Sequence, residues 1–283
     1  MEYVIKTNGL KKKFSNKIAL KGVNLAIKRG EIFGLLGPSG SGKTTTINIL
    51  TGQMSATKGN IEVLGRADDL LKAAKFRGEI GILSDNSSLY ERLTVYDNLK
   101  LFCKLYDVAV DNIDEMLELV NMTDERKTTV SKMSRGMKQR ILLCKALIHK
   151  PKLVFLDEPT SALDPGNVIH IHNGLKKLNE LGTTIFLTTH NMEEATTLCD
   201  RVAFLHDGEI KEVGNPIDLR FKYSTNDFHI KTYDGNSLTI ENKAENAGKV
   251  SELISTGNLK AIHSDFPTLG DVFLKITGEE LSS

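Results

Sequence analysis

GPSGSGKTT, residues 37–45, follows the apolar run EIFGLL and opens into TTTINIL. The run before it, bounded by Gly30, reads as a buried strand, and the residues after it keep a helical pattern up to Gly52. The stretch therefore joins a strand to a helix, the context in which a G-x-x-x-x-G-K-[ST] pattern makes a phosphate-binding loop. Glycines permit a loop whose backbone N–H groups all face one anion, and the helix start adds its positive end. The candidate phosphate-contact residues are Gly37, Pro38, Ser39, Gly40, Ser41, Gly42, Lys43, Thr44 and Thr45. Lys43 supplies a point charge and Thr44 a hydroxyl for Mg²⁺. An ordinary glycine-rich turn is the alternative for so short a motif.

Two further strand ends carry polar groups. LVFLDEP, residues 153–159, is an apolar run that delivers Asp157 and Glu158 to its carboxyl end, where ligands sit in open parallel sheets. One carboxylate can take a magnesium ion through water, leaving the next to polarise an attacking water. IFLTTH, residues 185–190, ends in the same way on His190, a donor within reach of a terminal phosphate. Strands alternate with helices through this part of the chain, which argues for an α/β fold with a mostly parallel sheet. Val95, Leu99, Phe102 and Leu105, then Ile113, Met116, Leu117 and Val120, recur at helical spacing and mark a helical insert over about residues 86–148.

Over residues 2–216 these motifs resemble the ATP-binding cassette (ABC) ATPases. GPSGSGKT looks like the family's Walker A loop, LVFLDE its Walker B strand, SALD its D-loop and His190 its switch histidine. MSRGM, residues 133–137, is similar to the LSGGQ signature. Read by itself, Ser134 there is a helix cap; in the family the segment also donates to the γ-phosphate held by the opposite subunit. The resemblance implies a P-loop NTPase core with a mixed sheet, ATP and Mg²⁺ as ligands, and a head-to-tail homodimer with ATP at its interface. It assigns phosphate binding to Lys43, metal binding to Thr44 and Asp157, water orientation to Glu158, γ-phosphate contact to His190, and the partner's site to Ser134 and Gly136. Phe14 matches the aromatic that stacks on adenine, with a core phenylalanine as the alternative.

The pattern is broken in two places. Arg135 stands where the signature has its first glycine; it reads as a solvated charge, or as a cation near the partner's phosphates. Asp85 stands where the family has glutamine, and either contacts the metal through water or caps a turn. The resemblance also implies a polytopic membrane subunit docked on about residues 87–106. The C-terminal ending LGDVFLKITGEE, residues 269–280, resembles that of the family's export branch of drug, bacteriocin and polysaccharide exporters, which implies an exporter role; the alternative is a soluble ABC machine on nucleic acid, ribosomes or an assembly scaffold.

Beyond Pro216 the texture changes to a hairpin with Asp234-Gly235 at its turn, then a helix, a strand and a final helix. This divides the chain into residues 1–220 and a small α+β accessory domain, 221–283. Lys plus Arg number 37 against 36 for Asp plus Glu, a net charge of +1, so no broad field favours direct nucleic-acid binding. The opening MEYVIKTNGLKKKF does not resemble a secretory leader, and no segment approaches the about 18 apolar residues of a membrane span. A cytoplasmic protein, peripheral to the membrane through its partner, is expected. Cys103, Cys144 and Cys199 lie far apart in apolar patterns and read as buried reduced thiols. His170 and His172, two apart on a helix, point to different sides and make a poor metal pair.

Overall fold

The computed structural model describes residues 2–84, 86–225, 227–264 and 266–279. In chain order the elements up to the insert are β1 (Tyr3–Phe14), β2 (Lys17–Lys28), β3 (Ile32–Leu36), α1 (Lys43–Leu50), β4 (Lys58–Val63), β5 (Arg66–Ala67), α2 (Ala74–Arg77) and β6 (Ile80–Leu83). The insert follows with α3 (Val95–Tyr106), α4 (Asn112–Leu119) and α5 (Arg135–Leu147). The chain then returns through β7 (Leu153–Asp157), α6 (Pro165–Glu180), β8 (Thr184–Thr189), α7 (Met192–Leu198), β9 (Arg201–His206) and β10 (Glu209–Gly214).

A single mostly parallel sheet does not account for all these strands. β9, β3, β8, β7 and β6 are parallel neighbours, with β10 added antiparallel at one edge. β1 and β2 instead pair with β4 and β5 in a separate antiparallel sheet of order β2-β1-β4-β5. The sequence carries the reason. β3 is buried at every residue, as a strand covered on both faces must be, whereas β2 alternates, burying Leu20, Val23, Leu25 and Ile27. Those side chains join Phe33, Ile47, Phe155 and Phe186 in one apolar cluster between the sheets. The Phe186 ring lies 5.8 Å from Phe33 and 5.6 Å from Phe155, centroid to centroid, a distance at which aromatic pairs attract.

Strand register decides where the polar ends meet. Leu36 pairs with Thr189 and Asp157 with Thr188, so residues 37, 158 and 190 leave the sheet at one edge. In the insert, Thr94 caps α3 by accepting from Asp97 N–H, and the helix buries Val95, Leu99 and Cys103. Leu105, at similar spacing, is 70% exposed. Cys103, Cys144 and Cys199 are all buried free thiols, and burial pushes each thiol pKa up, which makes them poor nucleophiles.

The chain divides into two compact units, the second beginning at Pro216. That unit contains α8 (Pro216–Tyr223), β11 (Asp227–Thr232), β12 (Ser237–Glu241), α9 (Ala247–Ser255), β13 (Leu259–Ser264) and α10 (Leu269–Thr277). Its sheet runs β12-β11-β13, all antiparallel, with Gly235 at φ 92° in the hairpin turn. α10 starts with a reciprocal Thr268–Asp271 capping box and lies against α8.

Candidate nucleotide site

The loop after β3 approaches its surroundings too closely for side chains. A Cβ at Gly37 would fall 2.1 Å from the Leu205 carbonyl oxygen. Gly42 has φ 115° and no room either, since a Cβ would lie 2.7 Å from Leu20 Cδ2. Gly42 also begins α1 without any side-chain cap. The first intrahelical bond runs from Thr46 N–H to Gly42 carbonyl at 2.9 Å, so the N–H groups of Lys43, Thr44 and Thr45 point outward at the positive helix end. Ser41 is buried, and its Oγ has no hydrogen-bond partner among the described residues. A phosphate oxygen suits both features.

Lys43 is 8% exposed; its Nζ donates to the Gly37 carbonyl at 2.7 Å and the Pro38 carbonyl at 3.3 Å. It also lies 3.6 Å from Glu158 Oε1, and Glu158 Oε2 lies 2.8 Å from His190 Nδ1. Lys43, Glu158 and His190 therefore form a row across the ends of three neighbouring elements. Asp157 is buried beside them, accepting Thr44 Oγ1 at 2.8 Å on Oδ2 and Thr188 Oγ1 on Oδ1. A hydroxyl and a carboxylate in contact are the hard oxygen donors Mg²⁺ prefers.

Glu158 has φ 50°, the left-handed region, which costs a side-chain-bearing residue about 1–2 kcal/mol. The conformation is held by its N–H on the Thr188 carbonyl at 3.1 Å, and by its own carbonyl accepting from Ser161 N–H at 3.3 Å and Gln139 Nε2 at 3.4 Å. Strain held at one residue by several neighbours is common where a side chain must be aimed.

Phe14 is 41% exposed at the end of β1, which corrects the core alternative for this residue. With Ser39, Gly40, Lys43, Thr44 and Asp157 it lines a cavity of about 400 Å³, and Lys12 Nζ sits 4.9 Å from its ring centroid. Ser134 and Gly136 are not among the residues lining that cavity. Ser134 is exposed and caps α5, its Oγ accepting from Met137 N–H at 3.2 Å, and Arg135 beside it is exposed. At Gly136 a Cβ would stand 2.8 Å from the Ala162 carbonyl oxygen, so glycine lets α5 close on the SALD segment. Asp85 lies outside the described residues.

Some of these contacts have no motif. Thr188 and Gln139 fix Asp157 and Glu158, but a threonine in a strand and a glutamine in a helix give little sign of it. His170 and His172 do part: His170 Nε2 meets the Glu118 carbonyl at 3.1 Å, whereas His172 is buried against Glu194. In the insert Tyr90, Leu101 and Leu105 are exposed apolar side chains.

The loop, the carboxylates at the end of β7 and the sheet order define a P-loop nucleotide hydrolase. The ABC transporter family profile matches residues 20–161, and the chain belongs to that family. A fluoroquinolones export ATP-binding protein of Mycobacterium tuberculosis is 35% identical over 287 residues, spanning 99% of this chain and 95% of the relative. A spermidine/putrescine import ATP-binding protein of Spiroplasma citri is 38% identical over 221 residues, spanning 76% of this chain and 63% of the relative. Among solved structures, a dimeric ATP-binding cassette in a post-hydrolysis state with ADP and Pi superposes with a TM-score of 0.68 at 30% identity, over 75% of this chain and 98% of the other. The chain is thus an ABC ATPase that binds ATP. Among the described residues no helix is long and apolar enough to cross a membrane.

Proposed function

We propose that this chain is the ATP-hydrolysing subunit of an exporter. It works as a head-to-tail homodimer on the inner face of the cell membrane, beneath a separate polytopic membrane subunit. The observation that supports the export reading is that a fluoroquinolones export ATP-binding protein aligns with 99% of the chain, second unit included. The boundary of the accessory domain is placed near residue 220, and direct nucleic-acid binding has no part in the reading.

The reaction is in-line attack of water on the γ-phosphorus of ATP, with cleavage of its bond to the β–γ bridging oxygen. The outward N–H groups at α1 and Lys43 hold the phosphates, and Phe14 stacks on the base. Thr44 and Asp157 would hold Mg²⁺, which when bound neutralises charge on phosphate oxygens. Glu158 orients the water, and His190, tied to Glu158, contacts the γ-phosphate. Ser134 and Gly136 of one copy complete the site of the other. Tyr90, Leu101 and Leu105, within residues 87–106, are the apolar contacts offered to the membrane subunit.

The test is capture of tagged Glu158→Gln protein, in ATP, from detergent-solubilised membranes of the native host. A stoichiometric polytopic membrane protein is the expected companion. Soluble partners alone, with such a membrane protein intact in the extract, would overturn the reading.

A further inference from the structure

The left-handed backbone at Glu158 persists only if the chain on both sides is held. Upstream, the β7–β8 ladder does this, ending with the Glu158 N–H on the Thr188 carbonyl. Downstream, the Ser161 and Gln139 contacts with the Glu158 carbonyl are joined by a buried carboxylate. Glu194, on α7 and 3% exposed, accepts Thr160 Oγ1 on its Oε1 at 2.7 Å. His172 Nε2, from α6, lies 3.2 Å from the same oxygen, and a carboxylate acceptor there requires this nitrogen to carry the hydrogen. Thr160 and His172 are themselves buried.

α7 also fixes the turn that carries His190. Asn191 caps the helix by accepting from Glu193 and Glu194 N–H, each at 3.0 Å. One short helix thus grips the chain two residues after Glu158 and is capped one residue after His190. Glu158, Thr160, His172, His190 and Glu194 all line a cavity of about 460 Å³. Packing alone does not favour a carboxylate at this place. Glu194 Oε2 is buried with no partner among the described residues, an arrangement that apolar residues of similar volume would avoid.

We infer that Glu194, acting through Thr160 and His172, is a positioning residue that holds the Glu158 carboxylate and the His190 ring in one rigid group facing the same phosphoryl group. This rests on the roles proposed above for Glu158 and His190.

The test uses the purified full-length chain, with kcat and KM for ATP hydrolysis, Kd for a fluorescent ATP analogue, and thermal melting as a folding control. Thr160→Val keeps the side-chain shape and removes the donor. It lowers kcat about tenfold or more while KM and Kd stay within about twofold, the pattern of a contact that matters at the transition state. Thr160→Ser restores the hydroxyl and most of the turnover. Combining Thr160→Val with Glu194→Leu is no slower than the slower single variant, because both break one connection. Wild-type kcat in folded Thr160→Val, or losses that multiply in the double variant, would overturn the inference. Glu158→Gln separates the two levels: wild-type turnover there defeats the role of Glu158 itself. Lost turnover there beside intact Thr160→Val turnover defeats only the positioning role. The Thr160 variants decide the matter even where Glu194→Leu does not fold.

Discussion

The phosphate loop and the signature segment both end at a helix N-terminus, yet they are built in opposite ways. α1 begins at a left-handed glycine with no side-chain cap, and its first turn is rooted in the core through buried Lys43 and Thr46. α5 begins at exposed Ser134, which satisfies the Met137 N–H with its own hydroxyl. The first end leaves its N–H groups for a ligand. The second is capped by its own serine and exposes Ser134 and Arg135, while Gly136 packs against the SALD segment. One chain therefore leaves the first helix end open and closes the second with its own serine, the division of labour that the proposed shared site calls for.

The contrast breaks most severely at Gly37. Gly37→Ala forces a backbone shift against Leu205, abolishing ATP binding and lowering stability by about 1–3 kcal/mol, the usual cost of overpacking; analogue binding and urea unfolding measure both. Ser134→Arg, introduced beside Glu158→Gln, separates the two helix ends. The monomer still binds ATP, but ATP-driven dimerisation in sedimentation is lost, and loss of the cap costs about 0.5–2 kcal/mol of stability. A dimer that survives this change would mean the signature segment is not at the interface. Phe14→Ala weakens ATP binding by about 1–3 kcal/mol, the worth of one base stacked on an aromatic face, with little effect on stability. Arg135→Ala is the smallest change, within about 0.5 kcal/mol in stability as for other surface positions, with ATPase kcat within about twofold. A tenfold loss of kcat there would make Arg135 a phosphate contact.

How much of this was legible differs between the same two regions. The phosphate loop could be read directly because its constraint is local: glycine spacing, a strand before and a helix after. Asp157, Glu158 and His190 were legible as strand ends, and the register that brings them to one edge follows once the strands are parallel. The separate antiparallel sheet was missed because alternation marks a half-buried strand without naming its neighbours. Helical spacing alone did not say which side chains of α3 face inward: Cys103 is buried and Leu105 exposed. Thr160, His172 and Glu194 lie 12 and 22 residues apart along the chain and share no spacing rule, so only the packing of α6 and α7 unites them.

The left-handed backbone at Glu158 has a bearing on how this protein evolves and is engineered. Glycine adopts that conformation without steric penalty, so Glu158→Gly relieves strain while deleting the carboxylate. Selection for heat resistance or soluble yield alone therefore draws position 158 toward glycine or asparagine. A screen blind to ATP hydrolysis will enrich chains that are sturdier and inert, and sequencing that one codon in the winners reveals whether the screen has been misled.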